Sequence, residues 1–491
     1  MKRRNILVAL VLMIPMISGA QALKGSYFLD SSLNRHEMNP AFAPRADYFQ
    51  LFGIGNLGAG VGTNLDIPTF LYPKNGELVT FLNNSISAKE FDRKMPNHPH
   101  FDAEFNTTLF GFGFYTKRLS YWTFDIDVRT TIDVDLPADL FMFMKKGTGT
   151  SGQSFNVGNI NAYATGGLQA SLGYSRNIIK GLRAGIKARV IAPLAYAGLN
   201  LENVMLSTSD EKWALTTEGY LHTAIQGTDI SLPQGEVMPS FGFDLPAFIS
   251  NKALAGLGFS FDLGAEYTLE LGTIFDGLSV SAAVTDLGMI KYKSNAVSSF
   301  KSAGNVEWTG FQNLSLSDMD MGAAIEELAQ KAKENLLNLS EMDTSKGLTR
   351  STMPRFYLGA EMPFLKRTMS VGLLYSSRLS HSYARHELTL SYNLNPCKWF
   401  ALGVNYSFLN TARTMGFILE LTPKVGPAFY IGADYIPVSF AKTSMMSLPI
   451  PLAMRMNMNF GIAFQVGSKY LKKNKDSQEN AKSKEKKNKN K

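Results

Sequence analysis

The chain has 491 residues, a formal net charge of +8, 45% hydrophobic residues and a single cysteine. With only Cys397 present no intrachain disulfide can form, so burial and hydrogen bonding must hold the fold. The basic balance does not support nucleic-acid binding: Ser468 to Lys491 carries ten lysines against three acids, Lys2-Arg3-Arg4 adds three charges, and the body between is at −2.

The chain opens with Lys2, Arg3 and Arg4, an uncharged apolar run from Ile6 to Ile17, and the small-residue triplet Ala20-Gln21-Ala22. This is the layout of a secretory signal peptide. The apolar run is shorter than the roughly 20 residues a membrane helix needs, so cleavage after Ala22 is expected. No other stretch approaches 18 uninterrupted apolar residues, so a membrane-inserted form must cross with strands.

Alternation with period two dominates the rest of the chain. Leu452, Met454, Met456, Met458, Phe460, Ile462, Phe464 and Val466 share one face, with Arg455, Asn457, Asn459 and Gln465 on the other. The same division sets Trp122, Phe124, Ile126, Val128, Ile132 and Val134 against Asp125, Asp127, Arg129, Asp133 and Asp135. It recurs in 257–270 and 400–410. Soluble strands usually run about 5 to 6 residues. These are longer, and alternate inward charges suit a wet lumen better than a dry core.

Sixteen strand candidates emerge: 47–58, 104–117, 119–136, 160–177, 181–195, 197–209, 212–226, 256–270, 276–292, 350–363, 367–379, 383–394, 398–410, 412–423, 426–437 and 452–467. Short connections such as Lys117-Arg118, Pro396-Cys397 and Lys424-Val425 follow the even-numbered candidates, and long ones follow the odd. That parity is expected of an even-stranded barrel with short periplasmic turns and long outer loops. A merged or spurious pair lowers the number to fourteen. Asn75 to Asn97 and Pro137 to Asn159 are expected over or inside the barrel mouth, and Asp318 to Glu341 has helical spacing.

Several motifs are decoys. Gly53-Ile54-Gly55-Asn56-Leu57-Gly58 has dinucleotide-fingerprint spacing but opens no helix. His98-Pro99-His100 lacks companion thiolates, so no metal is expected, and His222, His381 and His386 have no nucleophile motif beside them. No catalytic residue or cofactor is assigned. The candidate lumen lining is Asp125, Asp127, Arg129, Asp133, Asp135, Arg183, Lys187, Arg189, Asp262 and Glu266. Arg183, Lys187 and Arg189 share one strand face and are expected to oppose the row from Asp125 to Asp135. Such a set serves either as an interior salt-bridge lattice or as a selectivity lining.

Met38-Asn39-Pro40-Ala41-Phe42-Ala43-Pro44 resembles the Asn-Pro-Ala segment near the mature N-terminus of the long-chain fatty-acid transporter superfamily. Leu232 to Gly235, Gly256 to Tyr267 and Leu278 to Gly288 resemble a Bacteroidota outer-membrane barrel family of unknown function. The resemblance implies an all-β transmembrane barrel of about fourteen strands (range 12–16) with an N-terminal plug-like segment, and Asn39, Pro40 and Ala41 as plug or anchoring residues. The expected organisation is a leader at 1–22, a plug or anchor at 23–46, the barrel at 47–467 and a disordered lysine-rich tail at 468–491 on the periplasmic side. The expected function is non-enzymatic passage of a small hydrophobic molecule across the outer membrane. The alternative is a structural barrel that docks or anchors exported proteins. Membrane lipid is the other expected partner, and nucleic acid is not.

Overall fold

The computed structural model describes residues 23–51, 53–74, 77–146, 154–208, 213–226, 228–231, 240–243, 254–269, 277–308, 339–365, 367–380, 383–409, 413–438, 440–441, 450–451, 454–468 and 470. The expected leader and most of the lysine-rich tail lie outside this set.

Fourteen antiparallel strands close into a ring. They are β1 (Tyr48–Gln50 and Leu57–Thr63), β2 (His100–Tyr115), β3 (Tyr121–Asp135), β4 (Ser154–Ile179), β5 (Leu182–Thr208), β6 (Gly256–Thr268), β7 (Ser279–Tyr292), β8 (Leu348–Ser351 and Arg355–Phe364), β9 (Met369–Leu379), β10 (Ala384–Cys397), β11 (Phe400–Leu409), β12 (Arg413–Leu421), β13 (Gly426–Pro437) and β14 (Arg455–Gln465). Each pairs with its sequence neighbour, and β14 closes the ring on β1 at Phe49↔Phe464 and Leu57↔Phe460. Among the described residues the ring itself has no open edge, which is the condition for crossing hydrocarbon with strands.

The ring is apolar outside and polar inside. On β6, Leu257 (61% exposed), Phe259 (50%) and Leu263 (49%) face out, whereas Ser260 (1%) and Asp262 (0%) face in. A water-soluble barrel would reverse this, so the outer surface is built for lipid. Met456 and Met458 on β14 and Leu388, Leu390 and Tyr392 on β10 continue the band.

Two of the sixteen candidates do not count as separate wall strands. Segments 181–195 and 197–209 are one strand, β5, and Pro193, near the end of the first, sits at a register irregularity where the strand changes partner. Below Pro193 β5 pairs with β6; above it, from Ala195, it pairs with Trp213–Ile225. Proline's missing N–H is tolerated at such a point. Trp213–Ile225 then pairs with Val297–Trp308, so both continue the wall beyond the long-loop end and do not join the ring. The expected helix at 318–341 falls mostly outside the described residues; its end, Leu339–Glu341, is a strand paired with Phe300–Ser302.

At the long-loop end, the hairpin Leu71–Lys74 and Glu77–Thr80 packs with the helices Ala88–Asp92 and Ala138–Lys146. Tyr72, Phe81, Ile86, Phe91 and Met142 form a separate apolar core there. Ser87 caps the helix Ala88–Asp92 by accepting the Glu90 N–H at 3.1 Å.

Candidate functional site

The segment from Leu23 to Ala46 contacts the inner faces of strands all round the ring. Its backbone is wound into two short turns, Lys24–Ser26 and Arg35–Glu37, whose hydrogen bonds stay within the segment. Asn39 and Pro40 set the tightest approach. The Asn39 Oδ1 accepts the Ala41 N–H at 2.9 Å while Nδ2 donates to the Ala265 carbonyl of β6 at 3.2 Å. Two wall glycines make room: a Cβ on Gly185 would lie 2.1 Å from the Pro40 carbonyl oxygen, and one on Gly264 would lie 2.0 Å from Asn39 Oδ1.

Polar contacts tie the rest of the segment to the wall. The Lys24 and Gly25 N–H groups donate to Asp434 at 2.7 and 2.9 Å, and Lys24 Nζ pairs with Glu387 and donates to Tyr435 at 2.8 Å. Burial lowers the Lys24 pKa, against the opposing pull of Glu387. Ser31 donates to Glu420 at 2.6 Å. Arg35 pairs with Asp30 at 2.7 Å, approaches Glu266 at 3.8 Å and lies 3.9 Å from the Phe42 ring centre. Burial alone would raise Asp30; Arg35 and Arg45 override it and hold the carboxyl well below its usual range. Tyr27, Phe28, Met38 and Phe42 pack on Ala283, Tyr357 and Leu374 as an apolar heart.

His36 is buried between Lys187 of β5, whose Nζ donates to Nδ1 at 2.9 Å, and Tyr48 Oη at 2.8 Å from Nε2. Because the ammonium can only donate, Nε2 carries the proton toward Tyr48. Burial, reinforced by Lys187, pushes the imidazole down to about 3. Glu37 accepts from Asn56 at 2.7 Å, and burial raises its pKa.

Toward the long-loop end from this segment, ion pairs join inward charges, most of them on strands that are not neighbours. Glu104 of β2 holds Arg355 of β8 at 3.0 Å and Arg378 of β9. Asp286 of β7 holds Arg129 of β3 at 3.0 Å and Arg189 of β5, with Arg355 at 3.6 Å. Arg189 also reaches Asp262 of β6 at 2.6 Å, and Asp102 of β2 takes Arg385 of β10 at 2.8 Å and Arg455 of β14 at 2.5 Å. Pairs from β2 to β8 and from β3 to β7 cross the lumen. Asp286 adopts φ 58°, a left-handed conformation costly for a non-glycine residue, at the point where three arginines converge.

The expected lining residues fall into different places. Asp125 lies 3.2 Å from Lys187, as the opposed-row expectation has it. Arg189 instead pairs with Asp262 and Asp286, and Arg183 bonds Ser175 and Asn177 on β4, so these two do not oppose the acid row. The reason is register: β4 separates β3 from β5, and only the lysine stem at 187 reaches across it. Asp127 accepts from Thr108 at 2.8 Å, Asp133 lies 3.6 Å from Arg378, and Asp135 is buried opposite His100. Sequence reasoning missed Glu104, Asp286, Arg355, Arg378, Arg385 and Arg455. All stand on polar faces of alternating strands, which was the available signal.

The decoy motifs take structural places. Gly53 to Asn56 forms an inward excursion of β1, where Gln50 donates to Asn34 at 2.9 Å. His100 stacks on Tyr383, His222 contacts Ser299 at 2.8 Å, and His386 contacts Tyr375 at 2.8 Å; His381 lies outside the described residues. Against the ion pairs lie two adjoining cavities of ≈ 80 Å³ each, sharing Tyr163, Tyr196 and Arg350.

A lipid-facing band on a closed ring, with a polar lumen occupied by a segment of the same chain, defines an outer-membrane-type β-barrel. The chain belongs to the family of unknown function DUF5723, whose model matches residues 40–434. Among solved structures it is similar to the Pseudomonas putida toluene transporter TodX, with 12% identity, a TM-score of 0.35, and 87% of this chain and 93% of that chain covered. It is also similar to the Ralstonia pickettii toluene transporter TbuX, with 9% identity, a TM-score of 0.38, and 88% and 93% covered. A third is an anion-selective porin from Comamonas acidovorans, at 11% identity and a TM-score of 0.19, with 85% and 98% covered. No curated protein matches the sequence.

Proposed function

We propose that the protein lies in the outer membrane after loss of residues 1–22 and captures and passes a small hydrophobic molecule, with residues 23–46 as a movable closure. One observation carries this reading: among the described residues, the segment's backbone hydrogen bonds are internal or go to side chains, and none joins it to the ladder of the wall. It can leave without opening the ring. Asn39, Pro40 and Ala41 anchor it against β5 and β6, and the ion pairs among Asp262, Asp286, Arg129 and Arg189 stiffen the lumen around it. The chain's own part is binding and gating, with no bond made or broken.

Deleting Ser26 to Pro44 tests this directly. The barrel should still fold and show heat-modifiable migration, and its permeability to small solutes should rise. Unchanged permeability in a folded deletion would leave the segment only a bracing role. A second reading, docking of exported proteins, is favoured by one feature. β4 and β5 have 26 and 27 residues, over twice the about 9 to 11 that cross a bilayer, and so project a rigid wall outward.

A further inference from the structure

The two adjoining cavities share one wall. One has Ile191, Ile290 and Tyr292 in its wall beside the paired charges Arg129, Asp286, Arg355 and Arg378; the other has Asn161, Asn200, His222 and the carboxyl of Asp133; Tyr163, Tyr196 and Arg350 line both. The neighbouring charges balance among themselves, since Arg129, Arg189, Arg355 and Arg378 meet Glu104, Asp133, Asp262 and Asp286. Arg350 stands outside that balance. Its Nε donates to Tyr196 Oη at 3.0 Å and its guanidinium lies 5.9 Å from the same ring's centre, and among the described residues no carboxylate pairs with it. In the second cavity Asn200 Oδ1 is buried with no hydrogen-bond partner among the described residues.

We propose that this junction is a ligand site for a small cyclic carboxylate bearing a hydroxyl group. The acid group takes the fork of Arg350, whose planar donors match a carboxylate. The ring lies against Ile191, Ile290 and Tyr292, and the hydroxyl donates to Asn200 Oδ1, relieving a buried acceptor that otherwise costs free energy. Size decides for a ring over an extended chain: each cavity, at ≈ 80 Å³, is well below the about 300–1,000 Å³ of drug-sized sites. The assignment rests on the capture reading above and narrows the small hydrophobic molecule to an apolar ring that carries one acid group.

Equilibrium dialysis of the full chain in detergent with 4-hydroxybenzoate, benzoate and toluene tests it. 4-Hydroxybenzoate should bind most tightly; Arg350→Gln should weaken both carboxylates tenfold or more and leave toluene unchanged. Asn200→Ala should erase the preference for the hydroxylated ligand. Ile290→Trp, which fills the first cavity with Arg350 intact, should weaken all three, each variant being checked for heat-modifiable migration. Wild-type protein that binds neither carboxylate, or a folded Arg350→Gln that binds them normally, overturns the site. Binding that vanishes in Arg350→Gln supports it even where deletion of residues 26–44 leaves permeability unchanged, so the site and the gate fail separately.

Discussion

Replacing Gly185 by alanine places one methyl group where the N-terminal segment presses on the wall. The new Cβ would sit 2.1 Å from the Pro40 carbonyl oxygen and 2.5 Å from the Ala41 nitrogen. Both are backbone atoms, so no rotamer change relieves the clash. Ordinary contact is about 3.5 Å, so the segment must retreat by roughly 1.4 Å. That retreat loosens Asn39, whose Nδ2 reaches Ala265 at 3.2 Å. Overpacking of this kind costs about 1–3 kcal/mol. At about 1.4 kcal/mol per tenfold, the undocked population rises by roughly 5- to 150-fold. Trypsin reads it out, because Arg35 is buried when docked and cleavage tracks the open population when reclosing is fast. Gly185→Ala should be cut near Arg35 at least fivefold faster than wild type, with the ring intact by heat-modifiable migration. Cleavage at the wild-type rate in the folded variant would refute a segment docked against β5.

Docking should also depend on pH through His36. The docked imidazole, at about 3 against 6.5 in the open, stays neutral while the undocked one takes up a proton. Its contribution is therefore full above pH 6.5 and is lost as pH falls toward 3, at up to about 1.4 kcal/mol per unit. Glu37, raised by burial, pulls the other way, so the expected signature is the difference between wild type and His36→Gln in tryptic release from pH 7 to 5. A wild type that parallels His36→Gln would remove His36 from the account. Glu104→Gln leaves Arg355 and Arg378 short of a buried partner, and should destabilise the barrel by about 3–5 kcal/mol, read as earlier loss of heat-modifiable migration. Phe259→Arg puts a charge on the lipid face and should cost about 2–4 kcal/mol in refolding into bilayers, whereas a neutral result would contradict the assigned outer face.

The barrel was legible because each strand obeys one local rule. Period-two alternation on β3, β6 and β14 assigned faces correctly without any knowledge of neighbours. The strand number was less legible between 195 and 197, where two candidates are split in sequence but one long strand, just after Pro193, exchanges β6 for Trp213–Ile225. The ion-pair network was the least legible part. Glu104 meets Arg355 across 251 positions, and which inward charge meets which depends on ring size and shear. Alternation could nominate these residues but could not pair them. The Asn39-Pro40-Ala41 triplet was visible by resemblance, whereas the glycines opposite it, Gly185 and Gly264, became meaningful only once the segment was placed.

The central claim is that residues 23–46 close the lumen reversibly, and a reducible lock tests it most directly. Asn39 Cγ lies 3.0 Å from where a Cβ on Gly264 would sit, which puts a cysteine pair at these positions within disulfide reach. In a Cys397→Ala background, Asn39→Cys with Gly264→Cys should fold with the bridge formed. Uptake of a small apolar fluorescent probe into proteoliposomes should be blocked when the bridge is oxidised and restored by reductant. Equal uptake in the oxidised and reduced states would contradict the account.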